Sequence, residues 1–437
     1  MSWHEHYRRV LCSADEAVRV VKSGDRIVSA HACSEPIDLY DALVARAAEL
    51  RDVEVVHLVP VGKGEFAQPQ YAQSFRHNAV FVGAPTREAV YEGRADFTPC
   101  HFHETPALFT DGYLPPDVAL AHLSPPDKHG WCSFGLSIDY TKAATLAAKK
   151  IVAQVNPNMP RTHGDTFVHV TQLDAIVRST TPLLELPQPK IGEAAEAIGR
   201  TIAELVNDGD CLQVGIGAIP EAVLGFLHDK RDLGLHSEMF SDGVVDLYEE
   251  GVITNARKTI HPGRLVATFL MGSRRLYDFV DDNPVLSMFP VSYTNNPYVI
   301  AQNDNVMSIN SALQVDLMGQ VVADTMGPRQ FTGVGGQVDF VRGAAASKGG
   351  RAIIALPATA KKGTVSRIVA KISDGAAITT MRADVDYVVT EHGVAHLKGR
   401  TLRERREALL AIAEPEFRDQ IERDYASLCG GVGAAAV

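Results

Sequence analysis

Two spacings of apolar residues alternate along this chain. Short unbroken runs, such as Arg26-Ile27-Val28-Ser29-Ala30 and Val53 to Val61, have the length and β-branched content of buried strands. Between them, Ile37 to Leu50 places apolar residues three and four apart, as one face of a helix does. The far end repeats the scheme: Ala352 to Leu356 and Asp386 to Thr390 read as strands, and Leu402 to Ala413 as a helix. Strand and helix in turn predict an α/β fold with mostly parallel sheets, because parallel neighbours need a crossover and a helix usually supplies it.

The pattern breaks at Thr180-Thr181-Pro182-Leu183-Leu184-Glu185-Leu186-Pro187-Gln188-Pro189, where closely spaced prolines favour an extended connector. This predicts two domains, 1–185 and 190–437, the second carrying Glu238. The two segments also begin alike. Each has a helix, a Gly-Asp pair (Gly24-Asp25, Gly209-Asp210), a strand, a loop of small residues, a proline (Pro36, Pro220) and another helix. The pattern predicts two related open α/β domains facing across a cleft, where small-molecule sites collect.

Composition narrows the function classes. A formal net charge of −11 over 437 residues argues against general nucleic-acid or membrane-surface binding. No run approaches 18 apolar residues, and the polar start Met1 to His6 has no signal-peptide core, which predicts a cytoplasmic protein without a membrane span. The six cysteines, Cys12, Cys33, Cys100, Cys132, Cys211 and Cys429, form no Cys-x-x-Cys pair, so we expect neither a zinc site nor a disulfide framework.

Four features carry candidate chemistry. Gly215-Ile216-Gly217-Ala218-Ile219-Pro220 follows a strand and opens a helix, with Pro220 expected at the first helical position. Its glycines would let a phosphate-bearing ligand approach the backbone, or would simply make a tight turn. A dinucleotide fingerprint is countered by Pro220 standing where a third glycine belongs. His236-Ser237-Glu238-Met239-Phe240 puts a carboxylate among apolar neighbours near a strand end, either as a reactive group or as a buried structural one. Gly333-Val334-Gly335-Gly336 precedes a helix and offers a nest of amide donors, or a loop needing positive φ. From Arg342 to Lys371 seven basic residues occur without an acid, either a field for phosphates or a solvated surface. His101 and His103 would share one side of a strand, without further metal ligands. A Cys33 nucleophile with His31 is a minor alternative.

Taken together and in order, these segments resemble the family of acetyl-CoA hydrolases and CoA-transferases, of the class I CoA-transferase type, with its 4-hydroxybutyrate and butyryl-CoA:acetate branches nearest. The resemblance also includes Ser13 to Val18, Ser124-Pro125-Pro126-Asp127, Gly164 to Val170, Lys190-Ile191-Gly192 and Tyr387 to Gly393. It implies that Glu238 becomes a glutamyl-CoA thioester, and that Gly215, Ile216, Gly217, Ala218 and Ile219 bind CoA. Leu313, Gly336 and Lys361 fall where the family makes further CoA contacts. The resemblance further implies a homodimer or higher homo-oligomer acting on an acyl-CoA and a short-chain carboxylate. Coenzyme A is then a substrate, and neither a cofactor nor a metal is expected.

The chemistry sets additional expectations. A covalent relay through Glu238 splits a hard exchange between two acids into easier steps, with the Gly335 and Gly336 amides holding the oxyanions. His31 and Gln213 sit near equivalent strand ends and are the candidates for the acyl substrate. The alternative is an acyl-CoA hydrolase, in which water resolves the same intermediate.

Overall fold

A computed structural model describes residues 2–428; Cys429 lies outside them. The chain forms two compact units. One comprises Met1–Pro187, Glu238–Asp242 and Arg264–Asn295, and the other Gln188–Ser237, Gly243–Gly263 and Asn296–Val437. Glu238 therefore belongs with the first unit, not with the segment after residue 190 as the connector led us to expect. Sequence order misleads here because the chain leaves the second unit at Ser237 and re-enters it five residues later.

The first unit is built on a seven-stranded sheet. Its order is Ala95–Phe97, Phe75–Ala79, Val53–His57, Arg26–Ser29, Val118–Leu123, Lys150–Val155, Ala175–Arg178, and every pairing is parallel. All six residues of Val118–Leu123 are buried, so that run is apolar at every position but His122 instead of alternating. Successive side chains supply opposite faces. Val118, Leu120 and Val152 join one core with Leu39, Leu43 and Phe75, whereas Ala121, Leu123 and Ile151 join another with Phe134 and Val168.

The second unit holds a six-stranded sheet. Its order is Gly234–Leu235, Cys211–Val214, Val306–Ser311, Arg351–Ala355, Tyr387–Thr390, Gly393–His396. The last pairing alone is antiparallel. Its core gathers Ile354, Val388, Phe340, Val341 and Leu409.

The duplication expected from sequence extends to single hydrogen bonds. Gly24 and Gly209 have φ of +82° and +83°, which only glycine adopts cheaply. Gly24 N–H donates to Arg51 O, and Gly209 N–H to Arg231 O. The next residues, Asp25 and Asp210, accept from Lys22 N–H and Asn207 N–H. Asp52 and Asp232 share φ of +53°. In each unit the strand that follows the Gly-Asp pair lies between two parallel neighbours.

No helix among the described residues is long and apolar enough to cross a membrane.

Gly164 locks the two-stranded piece Leu265–Ala267 and Leu286–Met288 to the rest of the first unit. It bridges Met288 at φ +110°, and a Cβ there would lie 2.1 Å from Met288 O. Gly164→Ala is expected to destabilise the protein by about 2 kcal/mol or more, read as a lowered urea midpoint at unchanged slope. A midpoint equal to that of the wild type would show that this junction yields.

Candidate active site

Glu238 lies in an irregular bend just past the short strand Gly234–Leu235. With no ladder of its own, it is fixed by its neighbours. Its carbonyl accepts the N–H groups of Thr268, at 2.9 Å, and Phe269, at 3.2 Å. Its half-buried carboxylate accepts from Asn295 Nδ2 at 2.8 Å. Asn295 is fully buried, and its own N–H donates to Val291 O at the end of the turn Val291–Thr294. A donor on one oxygen orients the carboxylate, which is what a nucleophile needs. The sequence reading missed Asn295, since a polar pair before Pro297 looks like a helix cap; Asn296 alone plays that part, accepting from Tyr298 N–H.

The same segment reaches His31. Thr268 O accepts from Ile138 and Asp139 N–H, and the Phe269 ring centroid lies 5.1 Å from that of His31. His31 and Asp139 are both completely buried, with Nε2 and Oδ2 2.8 Å apart. Asp139 also accepts from Ser137 Oγ at 2.6 Å, Tyr140 N–H at 2.6 Å, and the Thr141 N–H and Oγ1, each at 3.1 Å. Burial opposes its charge, but the His31 ring and these donors outweigh that and hold the carboxyl below the usual carboxylate range. Nδ1 of His31 finds no partner among the described residues.

Glu35 stands a few residues on. Burial pushes its carboxyl up to about 7 although Gly62 and Val61 donate their N–H groups to it, at 3.0 and 2.5 Å. It ties the turn Ala32–Ser34 to the loop after the strand Val53–His57. No sequence signal pointed to it, because a lone Glu before a proline reads as solvated.

In the second unit, the loop Gly215–Gly217 runs into the helix Ala218–Leu224. Pro220 is thus the third helical residue, not the first; its missing N–H is still harmless there. A Cβ built on Gly215 or on Gly217 (φ +111°) meets no atom within 4 Å, and Ile216 is 42% exposed, so open space borders this backbone. Ala218 is partly buried and Ile219 buried. Gln213 is buried, its amide paired with that of Asn310 at 3.0 Å across neighbouring strand ends. Gly335 has φ +57° and Gly336 precedes the helix Gln337–Ala346. Leu313 is held by its N–H to Val322 O, and Lys361 lies exposed beyond the strand Thr359–Ala360.

The basic stretch is not the open field it resembled. Arg342, Lys348, Arg351 and Lys371 pair with Asp384, Asp304, Asp210 and Asp374, acids remote in sequence in all but the last case. Arg367 points its guanidinium at Ala312 O. Lys361 and Lys362 form no ion pair among the described residues. His101 precedes the turn Phe102–Glu104 and His103 lies within it, so neither is on a strand. Burial raises the Cys33 thiol to about 11, which disfavours a thiolate nucleophile.

The architecture is that of an α/β enzyme whose solved counterparts span nearly the whole chain. The crystal structure of RipA from Yersinia pestis superimposes with a TM-score of 0.93, at 38% identity, covering 98% of this chain and 100% of that one. Residues 1–185 match the acetyl-CoA hydrolase/transferase N-terminal domain, and residues 272–425 the acetyl-CoA hydrolase/transferase C-terminal domain. The protein belongs to this acetyl-CoA hydrolase/transferase family. Among its relatives, 4-hydroxybutyrate coenzyme A transferase of Clostridium kluyveri is 56% identical over 97% of this chain and 99% of that protein. Butyryl-CoA:acetate CoA-transferase of Anaerostipes caccae is 38% identical, over 97% of each.

Glu35 gives the unit a pH signature. An unfolded Glu loses its proton near pH 4.3, whereas Glu35 holds its own to about 7. Between these values the native state binds the extra proton, so stability falls as pH rises, then levels. Glu35→Gln is expected to remove roughly 3 kcal/mol of the stability difference between pH 4 and pH 8. Identical urea-unfolding differences in the two proteins would refute a protonated Glu35.

Proposed function

We propose that the protein is an acyl-CoA:carboxylate CoA-transferase in which Glu238 carries CoA between two acids as a glutamyl thioester. The observation that carries this reading is the half-buried Glu238 carboxylate, oriented by buried Asn295 on a backbone pinned by Thr268 and Phe269. A carboxylate of the Glu238 side chain attacks the acyl-CoA carbonyl; the C–S bond breaks, leaving a mixed anhydride and CoA thiolate. The thiolate then attacks the Glu238 carbonyl. The C–O bond to the first acid breaks, that acid leaves as its carboxylate, and the thioester remains. A second carboxylate runs the steps backwards. No proton or electron is gained or lost overall, so no redox cofactor is called for.

In this reading Gly335 and Gly336 donate amide N–H groups to the tetrahedral oxyanions. Gly215, Ile216, Gly217, Ala218, Ile219, Leu313 and Lys361 hold CoA, whose remote part supplies binding energy for placing the thioester. Lys361 suits a phosphate, being exposed and without an acidic partner among the described residues. The donor is a short-chain acyl-CoA of the acetyl, butyryl or 4-hydroxybutyryl kind, and the acceptor a carboxylate such as acetate. The names of the relatives and their whole-length similarity support these substrates. The enzyme would work as a cytoplasmic homodimer or higher homo-oligomer.

Glu238→Gln is expected to lower kcat at least about 10³-fold while leaving the fold intact. Borohydride added after acyl-CoA should reduce the thioester and mark Glu238 in a peptide map. An unmodified Glu238 with normal turnover would sink the proposal. Equal rates of acyl-CoA loss with and without acetate would instead assign a hydrolase.

The buried Nδ1 of His31, without a partner among the described residues, is a hydrogen-bonding group that a hydroxyl on the acyl chain can use and a bare methyl end cannot. His31→Phe is therefore expected to cut the kcat/KM ratio of 4-hydroxybutyryl-CoA to butyryl-CoA by about tenfold. A ratio unchanged from the wild type would remove His31 from acyl recognition.

A further inference from the structure

The first unit contains a cavity of about 520 Å³, within the size range of small-molecule sites. It lies where two adjacent parallel strands end: Val155 closes Lys150–Val155 and Arg178 closes Ala175–Arg178, and both line it. Carboxyl ends of parallel strands are where α/β sheets take ligands. The helix Trp3–Val10 forms another wall.

Its chemistry is one-sided. Trp3, Tyr7, Pro125, Pro126, Val155 and Pro157 make an apolar lining, and the prolines have no N–H to offer. Arg8, Arg178 and His4 supply cationic or protonatable groups, and Ser179 and Thr180 supply hydroxyls. Among the described residues no Asp or Glu lines the cavity, in a chain with 53 acids against 42 Lys and Arg. Arg178 is held in place: its Nε donates to Tyr7 Oη at 3.2 Å, and its guanidinium carbon lies 5.4 Å from the Tyr7 ring centre. That leaves the outer edge of a fixed planar fork, the geometry that grips a carboxylate or a phosphate.

We propose that this cavity is a binding site, separate from the Glu238 chemistry, for an amphiphile with one anionic head and an apolar body. The head lies against Arg178 and Arg8, and the body against Trp3, Tyr7 and the prolines. A carboxylate and a phosphate head share this recognition.

Trp3 is the built-in reporter. It and Trp131 are the two tryptophans, so Trp131→Phe leaves Trp3 as the sole indole. Titration of that variant with decanoate, decyl phosphate and decanol separates the terms. Saturable change in Trp3 emission with decanoate or decyl phosphate, at least tenfold tighter than with decanol, is the expected result; whichever acid binds more tightly identifies the head. Adding Arg8→Gln and Arg178→Gln, singly and together, is expected to weaken binding about tenfold or more while the thermal midpoint and CoA-transfer rate stay those of the parent. Decanol binding as tightly as the acids, full affinity in the double arginine variant, or no saturation would overturn the proposal. So would Trp3 already shielded from iodide before ligand, together with a smaller oligomer in Trp3→Ala, which would assign the cavity to a second copy of the chain.

Discussion

The arrangement around Glu238 depends on one strand end, Thr268-Phe269. Two N–H groups there hold the Glu238 carbonyl, and the Thr268 carbonyl takes two N–H groups from Ile138 and Asp139. Backbone bonds of this kind contribute only about 1 kcal/mol each, yet leaving one unmade in a buried place costs more. The segment is therefore over-determined. Glu238, which has no helix or strand to fix it, acquires a defined position from bonds on an element more than 25 residues further along the chain. Asp139 adds the charge: fully buried, it is tolerable only because five donors converge on it.

Much of the fold was legible because its signals are local. Val118 to Leu123 is apolar at all but His122 because both sheet faces are covered, and the helices announce themselves by spacing. Gly24-Asp25 and Gly209-Asp210 could be matched by eye because positive φ demands glycine at one position and the paired N–H demands a carboxylate at the next. The division of the chain was legible only in part. Three prolines mark Pro187 well, but nothing local marks the excursion of Glu238–Asp242 and Arg264–Asn295 into the first unit. That depends on pairings such as Gly164 with Met288, which are long-range and leave no periodic trace.

The site was legible as residue types and not as partners. Glu238 and the glycine loops stood out by composition, whereas Asn295, Asp139 and Glu35 act through burial that a sequence does not display. The run of bases from Arg342 to Lys371 misled for the same reason. Its neutralising acids Asp210, Asp304 and Asp384 come from other strands and loops, so counting charges along the chain overstated the field.

The duplicated unit shows how one frame supports two kinds of loop. The Gly-Asp start and its pair of flanking parallel strands fix where the strand ends in both copies, and the loop that follows is then free to specialise. After Arg26–Ser29 it became polar and closed: His31 is paired with Asp139, and Glu35 grips the N–H groups of Val61 and Gly62. After Cys211–Val214 it became small and open, with no atom near the missing side chains of Gly215 and Gly217. A closed polar loop sets tautomers and protonation; an open glycine loop presents bare backbone. Divergence of one loop supplies both on a shared Gly-Asp start and a strand held between two parallel neighbours.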